Sequence, residues 1–359
     1  MAVVLYVVGL ALAALAVRIY LLGSKKALVN WIANSSIFYY MYKRQLAAHH
    51  ASPDFNVTSF ETTILDGAAT VVTIPFLQDN FAYILFDHAT GECAAVDVAD
   101  PQVVLNVWRA LVAHRSPPSH PLTLKYILTT HKHFDHAGGN RKLKAALTSA
   151  TIVGGVLDSV QGSTKQTWHG DKLKVGSLTV ETLAVPCHTM GHVAYYGTVL
   201  LYFLPFHISC DTVLSCVVSA TNHTGHGCVF TGDTLSQYDI KDTSCKVVLY
   251  GVVVFVAGTG RFFEGNGDQV RSILHDNSYD MHRNLSQVLG ALPPTTRVFC
   301  GHEYTLQNLS FALFVEPDNV AVQTKVLLLR VGLPTVPSTL ADELATNPFM
   351  RINEPTVAK

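Results

Sequence analysis

From about Thr70 the chain breaks into short apolar runs separated by turn residues. Thr70–Phe76 (TVVTIPF), Tyr83–Phe86 (YILF) and Ala94–Val98 (AAVDV) predict strands. Pro101–His114 predicts a helix, with Asp100 as its N-cap and Pro101 at its first position. Tyr126–Thr129 predicts another strand and Gly139–Ala146 a second helix. Leu173–Val185 predicts paired strands, and Cys228–Phe230 and Val298–Cys300 two more. After His302 the pattern turns helical, over Leu306–Phe314 and Asn319–Leu329, and a stretch from Pro334 to Pro348 closes the chain. Strands interleaved with helices, some close enough for hairpins, imply an α/β (α+β) fold. Two mixed sheets would pack face to face with helices outside, followed by a small helical domain.

The first 53 residues read differently. They contain no Asp or Glu, while Arg18, Lys25, Lys26, Lys43 and Arg44 are basic. Ala2 to Val17 is an unbroken apolar run that resumes from Ile19 to Gly23, long enough to span a bilayer. A cleaved signal peptide would start with a positive region, and a transit peptide would be amphipathic. A membrane anchor over 1–23 followed by a basic linker over 24–69 fits better. Lys25 and Lys26 then leave the bulk of the chain on the cytosolic or mitochondrial-matrix side.

Composition narrows the function. Charged residues make up 14% of the 359, against about 25% for an ordinary soluble domain, so part of the apolar sequence is not core. A net charge of −1 gives no basic surface for nucleic acid. The seven cysteines are irregularly spaced with no C-x-x-C, which points to a reducing compartment rather than a disulfide framework. Histidine is the anomaly, at 17 residues.

Three of those histidines fall in one motif, Thr130-His131-Lys132-His133-Phe134-Asp135-His136-Ala137-Gly138-Gly139-Asn140. It follows an apolar strand and precedes a helix, where α/β folds place ligands. Imidazole and carboxylate donors together suit Zn2+, Fe or Mn. His131 and His133 are two apart, so in extended backbone they point to the same side and can grip one ion. Asp135 and His136, where the chain turns, can reach a second. Pro186-Cys187-His188-Thr189-Met190-Gly191-His192, Phe230-Thr231-Gly232-Asp233-Thr234 and Phe299-Cys300-Gly301-His302-Glu303-Tyr304 each put a donor just past a predicted strand. No G-x-S-x-G or P-loop motif occurs.

T-H-x-H-x-D-H, then a lone His, then G-D, then G-H-E-Y resembles the metallo-β-lactamase superfamily. P-C-H-T-x-G-H, F-T-G-D-T-L, G-R-F-F-E-G and V-P-S-T-L-A-D-E-L-A-T-N-P-F-M-R are similar to glyoxalase II, hydroxyacylglutathione hydrolase, over roughly Thr70 to Val357. The N-terminal anchor resembles that of a membrane-attached relative, the paroxysmal nonkinesigenic dyskinesia protein. The resemblance implies an αββα sandwich over 70–303 and a C-terminal helical substrate-binding domain over 304–359. It implies two divalent ions, Zn2+ before Fe or Mn. His131, His133 and His188 would hold the first, Asp135, His136 and His302 the second, with Asp233 bridging. His192 is left with a structural hydrogen-bonding role, and Cys187 and Cys300 with packing. Arg261, Phe263 and Tyr304 would meet a glutathione thioester. The implied reaction is hydrolysis of S-(2-hydroxyacyl)glutathione, such as S-D-lactoylglutathione, to glutathione and D-lactate. A metal-activated hydroxide would attack, with Asp135 orienting it and accepting its proton.

Three stretches depart from the family pattern: apolar inserts near 197–227, 236–254 and 270–280. Loops are ordinarily polar, because their backbone stays solvated. These stretches are apolar without a consistent period, as unspliced intron read as coding sequence would be; lineage-specific loops covering the site, or a membrane-contacting face, are the alternatives. Two other functions compete, a sulfur dioxygenase with a single iron and a non-catalytic membrane scaffold.

Overall fold

The computed structural model describes residues 36–52, 58–115, 120–199, 227–235, 283–330, 334–351 and 353–357. The anchor expected at 1–23 and most of the three inserts lie outside the described residues, as do Arg261 and Phe263. Among the described residues no helix is long and apolar enough to cross a membrane.

In chain order the elements are α1 (Ser36–His50), β1 (Phe60–Ile64), β2 (Ala69–Phe76), β3 (Asn80–Asp87), β4 (Glu92–Val96), α2 (Pro101–Arg115), β5 (Thr123–Leu128), α3 (Phe134–Ala137), α4 (Asn140–Ala146) and β6 (Thr151–Gly155). There follow β7 (Lys165–Thr167), β8 (Lys172–Val175), β9 (Leu178–Ala184), β10 (Val193–Val199), β11 (Cys228–Gly232), a π-helical stretch (Asn284–Leu289), β12 (Arg297–Cys300), α5 (Thr305–Val315), α6 (Val320–Arg330), β13 (Ser338–Thr339) and α7 (Leu340–Thr346). They form two sheets, ordered β1-β2-β3-β4-β5-β6-β7 and β13-β12-β11-β10-β9-β8. β4 through β7 pair parallel, as do β11 and β12.

Period-two alternation builds the layers. Along β3, Phe81, Tyr83 and Leu85 enter the core between the sheets, while Ala82 and Ile84 enter the core beneath the helices. β10 does the same, with Val193 and Tyr195 inward and Ala194 and Tyr196 outward. Both sheets are therefore buried on both faces, which makes their strands read as continuous apolar runs. The inner layer centres on Tyr83, Phe230 and Phe299, whose rings lie 5.3–5.4 Å apart. α1, α2 and α4 cover the first sheet, and the π-helical stretch and α7 cover the second. The architecture is the expected αββα sandwich.

The stretch read as a linker contains structure. α1 and the edge strand β1 both lie before residue 70, and β1 pairs antiparallel with β2 along its whole length. α1 packs on the domain through Tyr42, whose hydroxyl donates to Ala99 O at 2.5 Å and whose ring stacks on Phe134 at 6.1 Å. His50 Nε2 meets Asp100 Oδ2 at 2.6 Å. The other oxygen of Asp100 accepts from the Gln102 and Val103 amides, so Asp100 is the predicted cap of α2. β10 also reaches into the first insert. Gly197, Thr198 and Val199 pair with Val180, Thr179 and Leu178 of β9.

The C-terminal helices have a small core of their own, Leu309, Ala312 and Val322. α7 starts with a capping box between Thr339 and Asp342. Arg351, last residue of the N-P-F-M-R motif, holds Glu316 at the end of α5 with two hydrogen bonds of 2.8 and 2.9 Å.

Two outcomes are expected. Gly197 stands opposite Cys228 in antiparallel register, so β10 and β11 need only a tight turn between them. Replacing 200–225 by Asn-Gly should leave the calorimetric unfolding midpoint within about 1–2 °C, the shift that roughly 1 kcal/mol makes in a chain of this size. The Arg351 hydrogen bonds hold the Glu316 pKa down, from 4.5 to about 2. The stabilisation from that pair is therefore complete above pH 4.5 and is lost as pH falls from there through about 2. Arg351→Met should cost about 3 kcal/mol at neutral pH in a urea titration. That deficit should close across the same acid window.

Candidate metal centre

Four strand ends converge at one end of the sandwich. β5 leads into His131, His133, Asp135 and His136, β9 into His188, β11 into Asp233 and β12 into His302. The seven side chains come together, although the sequence separates the first and last by 171 positions. His131, His136, His188 and His302 are buried, and His133 is 8% exposed. Asp135 is the most open of the seven, its side chain 31% exposed.

Two pockets result. In the first, His131 Nε2, His133 Nδ1 and His188 Nε2 lie 2.9–3.1 Å from one another. In the second, His136 Nε2 and His302 Nε2 are 3.2 Å apart, with Asp135 Oδ2 at 3.8 and 3.6 Å from them. Asp233 faces both. Its Oδ2 is 3.3 Å from His188 Nε2, and its Oδ1 is 3.1 Å from His136 Nε2 and 3.3 Å from His302 Nε2. Oδ1 is buried at those distances without the alignment of a hydrogen bond to either ring. Two nitrogens bound tetrahedrally at Zn–N lengths would sit about 3.3 Å apart. The observed spacings match donors aimed at shared points rather than at each other.

Three of the rings are held through their outer nitrogens. Asp97 Oδ2 accepts from His136 Nδ1 at 3.0 Å and from the Thr130 hydroxyl at 2.8 Å. Thr130 Oγ1 in turn accepts from His131 Nδ1 at 3.1 Å. Asp79 Oδ1 takes the His302 Nδ1 proton at 3.0 Å. In each ring the hydrogen-bond network puts the proton on the outer nitrogen, leaving the inner lone pair for an ion. Asp97 does this from a left-handed backbone conformation, φ 53°, that Asp tolerates better than most residues.

His192 is buried but points elsewhere. Its Nε2 accepts the Asp233 amide at 3.3 Å and its Nδ1 meets Thr234 Oγ1 at 3.2 Å, the structural role expected of it. Cys187 and Cys300 are buried and in no disulfide, and burial raises the Cys300 pKa. Tyr304 lies beside the second pocket. Its hydroxyl is 3.2 Å from His302 Nδ1 and its ring stacks on that imidazole. Asp79, Asn80 and Asp97 were not singled out by sequence. Asn80 Nδ2 approaches Asp135 O at 3.3 Å and His302 Nε2 at 3.4 Å. Asp97 follows β4 as Asp233 follows β11, so the strand-end rule that found Asp233 points to Asp97 as well.

The electrostatics favour cations. Burial pushes the His133 pKa down to about 4 and the His131 pKa well below its usual value, keeping both rings neutral. Burial acts the same way on His136 and His302, but the nearby carboxylates outweigh it. Asp233 and Asp135 raise His136, and Asp233 and Asp79 raise His302 to about 10. Burial alone would raise Asp233; His136, His302 and His188 instead hold it well below the carboxylate range. The second pocket thus draws positive charge, as a His/Asp site for a divalent metal does.

The sandwich and its strand-end donors define a metallo-β-lactamase-type protein, and the family model described as Metallo-beta-lactamase superfamily matches residues 118–202. The model described as Hydroxyacylglutathione hydrolase C-terminus matches residues 303–359. The cytoplasmic hydroxyacylglutathione hydrolase of Arabidopsis thaliana is 39% identical over 290 residues, 79% of this chain and 88% of its own. A hydroxyacylglutathione hydrolase-like protein of Gallus gallus is 35% identical over 293 residues, 80% of this chain and 82% of its own. The hydroxyacylglutathione hydrolase of Methylococcus capsulatus is 36% identical over 293 residues, 80% and 88%. The chain belongs to the hydroxyacylglutathione hydrolase family.

Gly301 supplies a test of the geometry. A Cβ there would lie 2.7 Å from Asp233 Oδ1 and 3.0 Å from His136 Cε1. Gly301→Ala should displace the carboxylate between the pockets. Metal content by atomic emission should fall below that of the wild type, and turnover should fall about 100-fold, with the far-ultraviolet circular dichroism unchanged.

Proposed function

We propose that this chain hydrolyses S-(2-hydroxyacyl)glutathione thioesters, such as S-D-lactoylglutathione, to glutathione and a 2-hydroxy acid. The observation that carries the reading is the pair of donor pockets facing one carboxylate, Asp233, joined to a C-terminal region of the hydroxyacylglutathione hydrolase type. His131, His133 and His188 would hold one ion, and Asp135, His136 and His302 a second, with Asp233 between. Zn2+ fits a set of nitrogen donors completed by carboxylates; Fe and Mn fit it as well. A single-iron dioxygenase leaves Asp135 and His136 without a use, so the two-ion reading is preferred.

Divalent ions bound there supply a Lewis acid for the thioester carbonyl and lower the pKa of water. The chain's own residues do the rest. Asp135 is the accessible carboxylate, and although burial would raise its pKa, His136 and His302 bring it below the usual value. It is therefore anionic at neutral pH and available to orient water and accept its proton. Asp97 and Asp79 keep His136 and His302 in one tautomer, so the second pocket does not reorganise during turnover. The glutathione thiolate leaves without a strong general acid. Tyr304, at the rim of the second pocket, together with Arg261 and Phe263, would contact the glutathione moiety. Residues 1–23 would tie the enzyme to a membrane, with the catalytic domain in the cytosol or mitochondrial matrix.

Purified full-length protein assayed with S-D-lactoylglutathione should release free thiol. Turnover should fall by at least about 1,000-fold in His131→Ala, should vanish on dialysis against a chelator and should return with Zn2+. Metal-replete protein with no thioesterase activity would sink the reading.

A further inference from the structure

The first pocket is assembled from two loops, and its three imidazoles do not by themselves fix the spacing of those loops. Asp158, on the turn after β6, lies against both. It is 6% exposed. Its Oδ2 accepts the Lys132 amide at 3.0 Å and the Thr189 hydroxyl at 2.8 Å, and its Oδ1 accepts the Gly191 amide at 3.2 Å. Lys132 stands between His131 and His133, Thr189 directly follows His188, and Gly191 directly precedes His192. The approach is close by construction, since any side chain at Gly191 would collide with the Leu157–Asp158 backbone. One buried carboxylate therefore staples the His131–His133 loop to the His188–His192 loop. Hydrogen bonds to an ionised acceptor are roughly twice as strong as neutral ones.

We propose that Asp158 is a positioning residue for the first pocket. It sets the separation of the two loops, and through it the affinity of His131, His133 and His188 for their ion, without touching ion or substrate. A neutral amide would not substitute, because Asn presents an N–H where the site already presents donors. Loss of a residue that orients metal ligands costs about 10–100-fold in affinity.

The proposal rests on the ligand set assigned above, and the test separates the two. The full chain is stripped of metal and titrated with Zn2+ against a chelating indicator, alongside His188→Ala, which identifies the binding step belonging to the first pocket. Wild type should take up two equivalents; fewer would overturn the ligand set rather than the role of Asp158. Asp158→Asn should weaken the first-pocket step about 10–100-fold and leave the other within about twofold. The unfolding midpoint of the metal-free protein should change little. Equal loss at both steps, loss at the second alone, or no loss would overturn the proposal. Thr189→Val removes one of the three hydrogen bonds at nearly constant volume and serves if Asp158→Asn does not fold. It should weaken the same step selectively by roughly threefold, the equivalent of about half a hydrogen bond, and the same three patterns would overturn it.

Discussion

One buried carboxylate must face two groups of imidazoles at once. Asp233 meets His188 with one oxygen and His136 and His302 with the other. That constraint dictates much of the surrounding structure. Four strand ends from two sheets must meet at one edge of the sandwich, and glycine must stand at position 301 to leave room for the Asp233 carboxylate and the His136 ring. The aromatic inner core of Tyr83, Phe230 and Phe299 locks the sheets that carry those ends. Tyr83 also donates its hydroxyl to Cys300 O, two residues before His302. Packing and ligand placement are thus joined through the same residue.

The charge arrangement follows from the same constraint. Asp79, Asp97, Asp135 and Asp233 surround His136 and His302, an excess of negative charge that burial would make costly without compensating cations. The first pocket is the complementary case: burial keeps His131 and His133 neutral, and Asp233 Oδ2 approaches from the His188 side. The two halves are chemically unequal. The open carboxylate, Asp135, belongs to the more charged one.

Most of the strands were legible because burial on both faces leaves continuous apolar runs in sequence, as in β2, β3 and β11. β7 was not, since Lys165–Thr167 is polar and is a strand only because β6 lies beside it. β10 escaped notice because His192 and the following loop residues drew attention to chemistry instead of period, and its tail was read as insert. α1 is buried along one narrow line, chiefly Tyr42, with Tyr40 and Met41 exposed, so its period is weak. The clustered His and Asp residues were legible because their types and order form a motif. Asp79, Asp97 and Asp158 were harder. Each acts through a partner 26 to 223 positions away, and no local spacing encodes that.

The strand before residue 70 has a consequence for how this protein can be cut. β1 covers the outer side of β2 over five consecutive residue pairs. Proteolysis ahead of Ser36 would leave that cover in place. Cleavage that discarded everything before Ala69 would strip Tyr42 from Phe134 and leave Ala69–Phe76 with a bare, apolar rim of unpaired amides and carbonyls. Such a rim recruits strands from other molecules. Trimming the enzyme that far would therefore yield aggregates in place of a smaller active protein.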